Sequence, residues 1–482
     1  MEQVDVLIIG SGYGGAVPAM RLAEAGLRVL VLERGPRMET TDFRQSDDLT
    51  YLQSVLDVVI STGNIAFRTG KLVGGASINM DGAHFRVPSS AFGVTDSTGR
   101  PYWPAGVDRP LLDPYYARAE AMLGVRQIEW GEISKTGGLF ARMLAAVGAT
   151  CDRALLNYAD CMQCGYCAQG CIYGKKQHVL ATYLANAEAA GAEIRAGCQV
   201  DTIEPSGTGY LATFTRAGVV EQAWGQRCVV AGGGIHSPAL LLRSASLLRG
   251  LSSQIGENFN NNGEHGFVGI LPEDAEGIES HACFKGMDNA GLMSFHWYED
   301  EGFTLHPGGG LEPSIFAAAL AASGSAVLPA RAWGMAYKRF VESVYPRRLI
   351  AFSSLGLADG MRAVTLRGDG SPDVVDRDRT AYDAYLDRLE AVLADISDRT
   401  GVTIVPTMPR AQAGSTATHL LSACRMADTV ADGVVDANNE VWGSPNLFLC
   451  DASSIPYAIA VNPALTIAAL AERTADFILA RG

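Results

Sequence analysis

Four cysteines, Cys161, Cys164, Cys167 and Cys171, fall within eleven positions of the stretch DCMQCGYCAQGCIYG. The spacing C-x2-C-x2-C-x3-C is one that bacterial ferredoxins use to hold an iron–sulfur cluster, and four thiolates so placed also suit zinc. The plainer reading is a set of buried or redox-labile thiols, because cysteine packs as a small hydrophobe. Ile172 stands where proline usually follows the last ligand, and we rank thiols ahead of a metal at these four positions.

A second constellation lies in VDVLIIGSGYGGAVPAMRLAEAGLRVLVLERG. The glycines Gly10, Gly12, Gly14 and Gly15 sit between an apolar run, Val4 to Ile9, and a helical pattern reaching Ala25. A second apolar run follows and ends at Glu33. Glycines here serve a tight turn, close approach to a pyrophosphate and helix-on-strand packing, while the helix N-terminus offers free N–H groups to phosphate. An acid at the end of the second strand accepts hydrogen bonds from ribose hydroxyls. Strand, glycines, helix, strand and acid arrive in order, which predicts a bound dinucleotide without separating FAD from NAD.

The elements that must carry these residues read as an α/β fold with a Rossmann-like sheet. A later strand in CVVAGGGIHSPALLLRSA meets a glycine cluster around Gly232 and then a helix. We expect its turn to pass close to the cofactor, although a plain strand–helix turn fits any single glycine equally well. Near the C-terminus, NLFLCD reads as a strand, followed by a long helix beginning at Pro463, where proline suits a first turn.

The chain has 482 residues, 48% hydrophobic and 19% charged, an ordinary globular balance. Its length corresponds to about three domains' worth of material, and no repeat or low-complexity linker divides it. The net charge of −14 argues against nucleic acid, which needs a basic face. An apparent strand begins by Val4, so we expect no signal peptide, and no apolar run reaches membrane-span length. These features predict a cytoplasmic protein whose ten cysteines are thiols or ligands rather than disulfides.

The N-terminal fingerprint, KLVGGASINMDGAHFR, IGENFNNNGEH and the C-terminal block from THLLSACRM to AVNPALT together resemble the glucose–methanol–choline (GMC) family of flavoprotein oxidoreductases, nearest its bacterial cholesterol-oxidase-like branch. Residues 270–410 match only loosely. The resemblance implies a Rossmann-like FAD domain with an interleaved α+β substrate domain. The FAD part would comprise 1–90, 175–270 and 430–482. The substrate part would comprise 91–174 and 271–429, with the cysteine loop 161–171 inside it.

The resemblance also implies roles. His419 occupies the place of the family's catalytic histidine, and Asn462 that of its second active-site residue. Asp451 matches an FAD-contacting aspartate, Val200 a strand lying against the cofactor, and Gly74, Gly75 and Ser77 a loop crossing the pyrophosphate and flavin. The P-x-G-T that follows the family histidine is Leu420-Leu421-Ser422-Ala423 here. No histidine lies between Gly74 and Met80, where some relatives attach the flavin, so the implied FAD is non-covalent. From residue type alone, His419 would be a satisfied core or surface histidine, and Asn462 a helix cap.

The expected reaction is alcohol oxidation to a carbonyl, with hydride passing to flavin N5 and His419 taking the hydroxyl proton. Its partners would be a small-molecule alcohol and oxygen or another electron acceptor. His306 and Glu312 are candidates for an additional acid or base. Two alternatives stay open: an FAD/iron–sulfur dehydrogenase passing electrons to a protein partner, and a catalytically inactive flavin-binding interaction protein.

Overall fold

The strand β1, Glu2–Ile9, is apolar and buried from Val6 to Ile9, as a central parallel strand covered on both faces must be. It pairs in parallel with β2, Val29–Leu32, on one side and with the strand Val219–Val230 on the other. The helix α1, Tyr13–Glu24, makes the crossover between β1 and β2. The computed structural model describes residues 2–46, 48–63, 65–309, 317, 321, 329, 333–358, 362–412 and 418–481.

Seven strands form the larger sheet. Its order is Glu193–Arg195, β2, β1, Val219–Val230, Gly209–Arg216 and Cys198–Ser206, with Leu447–Leu449 also pairing Val219–Val230. The long strand Val219–Val230 changes partner along its length. Its last residues, Cys228 to Val230, pair in parallel with Leu447 to Leu449, while Val219 to Gly225 pair antiparallel with Gly209–Arg216. The parallel strands thus end together at the glycine turns, as open α/β sheets end at their ligand crevice.

The C-terminal helix Ala464–Ala480 packs on α1 and is buried on most sides. It carries Glu472, which is fully buried. The Arg21 guanidinium donates to both Glu472 oxygens, at 2.8 and 2.9 Å, and the Tyr183 hydroxyl donates at 2.8 Å. A buried carboxylate survives only when paired in this way.

A second, antiparallel sheet runs Phe303–Gly308, Leu349–Gly356, His265–Ile270, Thr403–Pro406. The 21-residue helix Thr380–Thr400 and the helix Lys135–Ala145 cover one side. Phe267, Phe303, Phe352, Tyr385 and Leu389 form the core between them. Among the described residues, no helix is long and apolar enough to cross a membrane.

Candidate functional site

The glycine turn at the start of α1 is closed on three sides by backbone. A Cβ on Gly10, whose φ is +96°, would stand 2.3 Å from the Ala231 carbonyl oxygen, and one on Gly14 would stand 1.5 Å from that of Cys450. Neither position admits a side chain. Gly15 packs equally tightly on the Gly10 carbonyl, whereas a Cβ on Gly12 would meet nothing within 4 Å. The turn is therefore tight where strands abut it and open at the helix N-cap, the pattern that lets a diphosphate approach the free N–H groups of the first turn.

The loop Gly74–Ser77 runs beside this N-cap. The Gly74 N–H donates to Ser11 Oγ at 2.9 Å, and a Cβ on Gly75 would press on Gly12 Cα at 2.9 Å. Ser77 closes its own turn by donating to the Gly74 carbonyl at 2.7 Å. Glu33, at the end of β2, accepts from Ser11 N and Oγ at 3.0 and 2.7 Å and from Gly35 N at 2.8 Å. The Cys198 N–H donates to the Glu33 carbonyl at 2.8 Å, which sets the strand bearing Val200 beside it.

Asp451 joins two further turns. Its carboxylate accepts from Gly233 N and Ser237 Oγ on one side and from Ser453 N and Oγ on the other. Gly232 lies in the turn so held, with its N–H on Ser237 Oγ at 2.8 Å. A Cβ on Gly234 would meet the Leu420 carbonyl oxygen at 2.0 Å. The glycine turn beside Gly10 thus runs directly onto the segment that follows His419.

His419 and Asn462 come from segments far apart in sequence, yet His419 Nε2 and Asn462 Nδ2 lie 3.4 Å apart. The Asn462 side-chain oxygen is buried without a hydrogen-bond partner. Asn462 is not the cap of the helix behind it. That place belongs to Pro463, and no side chain caps this terminus. An imidazole and an amide facing the same point, one of them with an unused acceptor, can take and orient a hydroxyl.

The segment Asn260–Glu264 holds both residues in place. The Asn262 side chain accepts from Ile459 N and Ala460 N at 2.8 and 2.9 Å and donates to the Val461 carbonyl at 2.8 Å. Asn260 pairs by backbone with Leu421, and its amide donates to Ser422 Oγ at 2.8 Å. Glu264 accepts from Thr418 N at 2.9 Å and His419 N at 3.1 Å, and one of its oxygens lies 3.3 Å from His419 Nδ1. That last contact is an ion-pair distance without hydrogen-bond alignment, so among the described residues Nδ1 has no hydrogen-bond partner. Sequence reasoning reached NNNGEH only as part of a family pattern. Three successive amides and an acid before a buried strand were the signal for a polar clamp, because buried amides must bond to something.

The cysteine loop packs behind the Gly74–Ser77 turn. Lys176 is almost fully buried, and its ammonium donates to the carbonyls of Ile78, Met80 and Cys167. The Asn79 amide adds a bond to the Ala168 carbonyl at 3.0 Å. All four cysteines are free thiols. Cys167 is buried, and burial pushes its thiol up to about 12. Gln163 N and Lys175 N donate to the sulfurs of Cys161 and Cys171 at 3.4 and 3.3 Å. Among the described residues, no three His, Cys, Asp or Glu side chains stand where they could hold a metal ion. Of the two other candidates, His306 lies in the strand Phe303–Gly308 within the electrostatic reach of His419. Glu312 lies outside the described residues.

A family model described as GMC oxidoreductase, for the N-terminal part, matches residues 4–263, and its C-terminal counterpart matches residues 360–471. The chain belongs to the GMC oxidoreductase family. It is 27% identical to 2-methyl-1,2-propanediol dehydrogenase of Mycolicibacterium austroafricanum, across 100% of this chain and 96% of that one. It is 26% identical to a cholesterol oxidase of Mycobacterium tuberculosis, across 98% and 90%. The solved structure of pyridoxine 4-oxidase from Mesorbium loti shares the fold at a TM-score of 0.67 and 17% identity, covering 99% of both chains. As a GMC oxidoreductase, the protein is an FAD-dependent enzyme of alcohol oxidation, and its fold is the flavoprotein α/β fold that the motifs imply.

Proposed function

We propose that the protein binds FAD non-covalently and oxidises a small-molecule alcohol with His419 as base and Asn462 as the group that orients the hydroxyl. The carrying observation is the 3.4 Å approach of His419 Nε2 to Asn462 Nδ2. It lies on the segment that the Gly232–Gly234 turn abuts. When bound, FAD supplies the hydride acceptor. The chain would do the rest. Imidazole Nε2 receives the hydroxyl proton, the Asn462 amide holds the same oxygen, and Glu264 and Asn262 fix both segments.

Gly10, Gly12, Gly14 and Gly15 would receive the diphosphate, with Gly74, Gly75 and Ser77 closing over it. Glu33 keeps free acceptor positions for ribose hydroxyls beyond the bonds it already makes. Val200, Gly232 and Asp451 would shape the remaining walls. We assign 1–90, 175–270 and 430–482 to the FAD part, and 91–174 and 271–429 to the substrate part. Oxygen or a diffusible acceptor would reoxidise the flavin. Ten free thiols support a reducing, cytoplasmic setting.

Alcohols named for relatives, a branched propanediol and a sterol among them, define the panel for a test. Under anaerobic conditions a substrate alcohol should bleach the flavin absorbance, and acid precipitation should release all of the FAD into the supernatant. Flavin retained in the pellet overturns the non-covalent assignment. Unbleached flavin across sterol, diol, sugar and aryl alcohols overturns the alcohol reading.

A further inference from the structure

His306 is 9% exposed, and among the described residues neither of its ring nitrogens has a hydrogen-bond partner. The Pro307 carbonyl lies near the ring but outside hydrogen-bond geometry. Leaving buried polar groups unpaired is costly, so such a ring needs a partner that the described residues do not supply.

Strand register shows where it points. His306 stands opposite Ser353, and Ser353 opposite Gly266. Directly paired residues share a face, and side chains two apart along a strand share it too. Thr304, two residues before His306, donates to the Ala460 carbonyl at 2.8 Å, close to Asn462. Glu264, in the turn just before the strand His265–Ile270, is the acid that holds His419. His306 therefore projects from the same sheet face as Thr304, the face that contacts the segment before Asn462. The fields of Glu264, His419 and Asp81 all reach it.

We infer that His306 is a second polar anchor for the substrate, and that the preferred alcohol carries a further hydroxyl close to the carbon being oxidised. This rests on the alcohol-oxidising site proposed above. Burial holds the His306 imidazole below its ordinary value, so the ring is neutral at neutral pH. A neutral imidazole presents one N–H donor and one acceptor, the complement of a hydroxyl, which can do both. A lone ketone, ether or hydrocarbon would satisfy at most one of the two nitrogens. Asn462 and His419 engage the reacting oxygen, which leaves His306 for the other.

The test compares matched pairs, a secondary mono-alcohol and the vicinal diol of the same carbon skeleton, on FAD-loaded enzyme by anaerobic flavin reduction. Wild-type protein should favour the diol. In His306→Leu the ratio of diol to mono-alcohol reduction efficiency should fall roughly 10- to 100-fold, the equivalent of one or two lost hydrogen bonds. His306→Gln, which keeps a donor and an acceptor, should recover part of it, and the flavin-to-protein ratio should match wild type in both. A ratio unmoved by His306→Leu, or a mono-alcohol preferred by wild-type protein, overturns the inference while the site reading stands. Loss of FAD from His306→Leu also overturns it, and makes His306 a cofactor contact. If neither alcohol class bleaches wild-type flavin, the functional reading itself fails.

Discussion

At the scale of single residues, the proposed site is one imidazole, one amide and one carboxylate with different tasks. His419→Ala should lower the rate of flavin reduction by about 10²–10⁴, the range for a lost general base, with FAD content unchanged. Asn462→Ala should cost less, since water can replace part of an amide's role. In the proposed mechanism Glu264 acts as a positioning residue, through the backbone of Thr418 and His419 and through its oxygen 3.3 Å from Nδ1. Glu264→Ala should slow flavin reduction by roughly 10- to 100-fold, on the order of one or two lost hydrogen bonds to a charged group. Glu264→Gln keeps the backbone acceptor and should recover much of that rate. If stopped-flow traces of the alanine and glutamine variants coincide, Glu264 does not position the histidine.

Among elements, the short segment Asn260–Glu264 does what neither sheet does alone. It leads into the antiparallel sheet at His265, and its side chains grip loops that begin and end in the other half of the molecule. Asn262 is the most exposed to failure. Its removal would orphan the N–H groups of Ile459 and Ala460 and the carbonyl of Val461, all buried. Asn262→Ala should therefore destabilise the protein by about 1–3 kcal/mol for each group left dry, less where water enters. It should also depress flavin reduction, because Asn462 follows that loop directly. Asn262→Asp retains the acceptor for both N–H groups and should fall between the two in thermal denaturation. A wild-type melting temperature in Asn262→Ala would show that the clamp carries no load.

For the whole molecule, buried histidines set an acid limit. His84, His178 and His265 are each held down to about 4, in every case chiefly by burial. An unfolded histidine titrates near 6.5. Between those values the unfolded chain binds protons that the folded chain does not, so stability is complete above about 6.5 and is lost as pH falls toward 4. Each such histidine steepens the loss by about 1.4 kcal/mol per pH unit. Carboxylates held low by partners, such as Glu132 at about 2 beside Arg126, extend the loss below pH 4.5. Chemical denaturation at stepped pH should show stability dropping already between 6.5 and 5. Flat stability over that interval would contradict the burial of these rings.

Sequence by itself determined the strand–turn–helix–strand unit at the N-terminus of this protein, and the reason is locality. Strand, turn, helix and acid in the first 33 residues are adjacent in the chain. Gly15 is demanded by a contact within the turn, on the Gly10 carbonyl, whereas Gly10 and Gly14 meet Ala231 and Cys450, which only the folded sheet brings up. The strand Leu447–Leu449 and the helix from Ala464 were legible for the same reason, since each is a continuous apolar pattern. His419 and Asn462 were legible only as members of a family pattern, because nothing in their own neighbourhood distinguishes them from a core histidine and a cap. Their meeting at 3.4 Å, the grip of Asn262 and Glu264 on them, and the unpartnered ring of His306 on the same face are contacts across long sequence separations. Those contacts exist only once two sheets are packed together, so tertiary structure alone decided them.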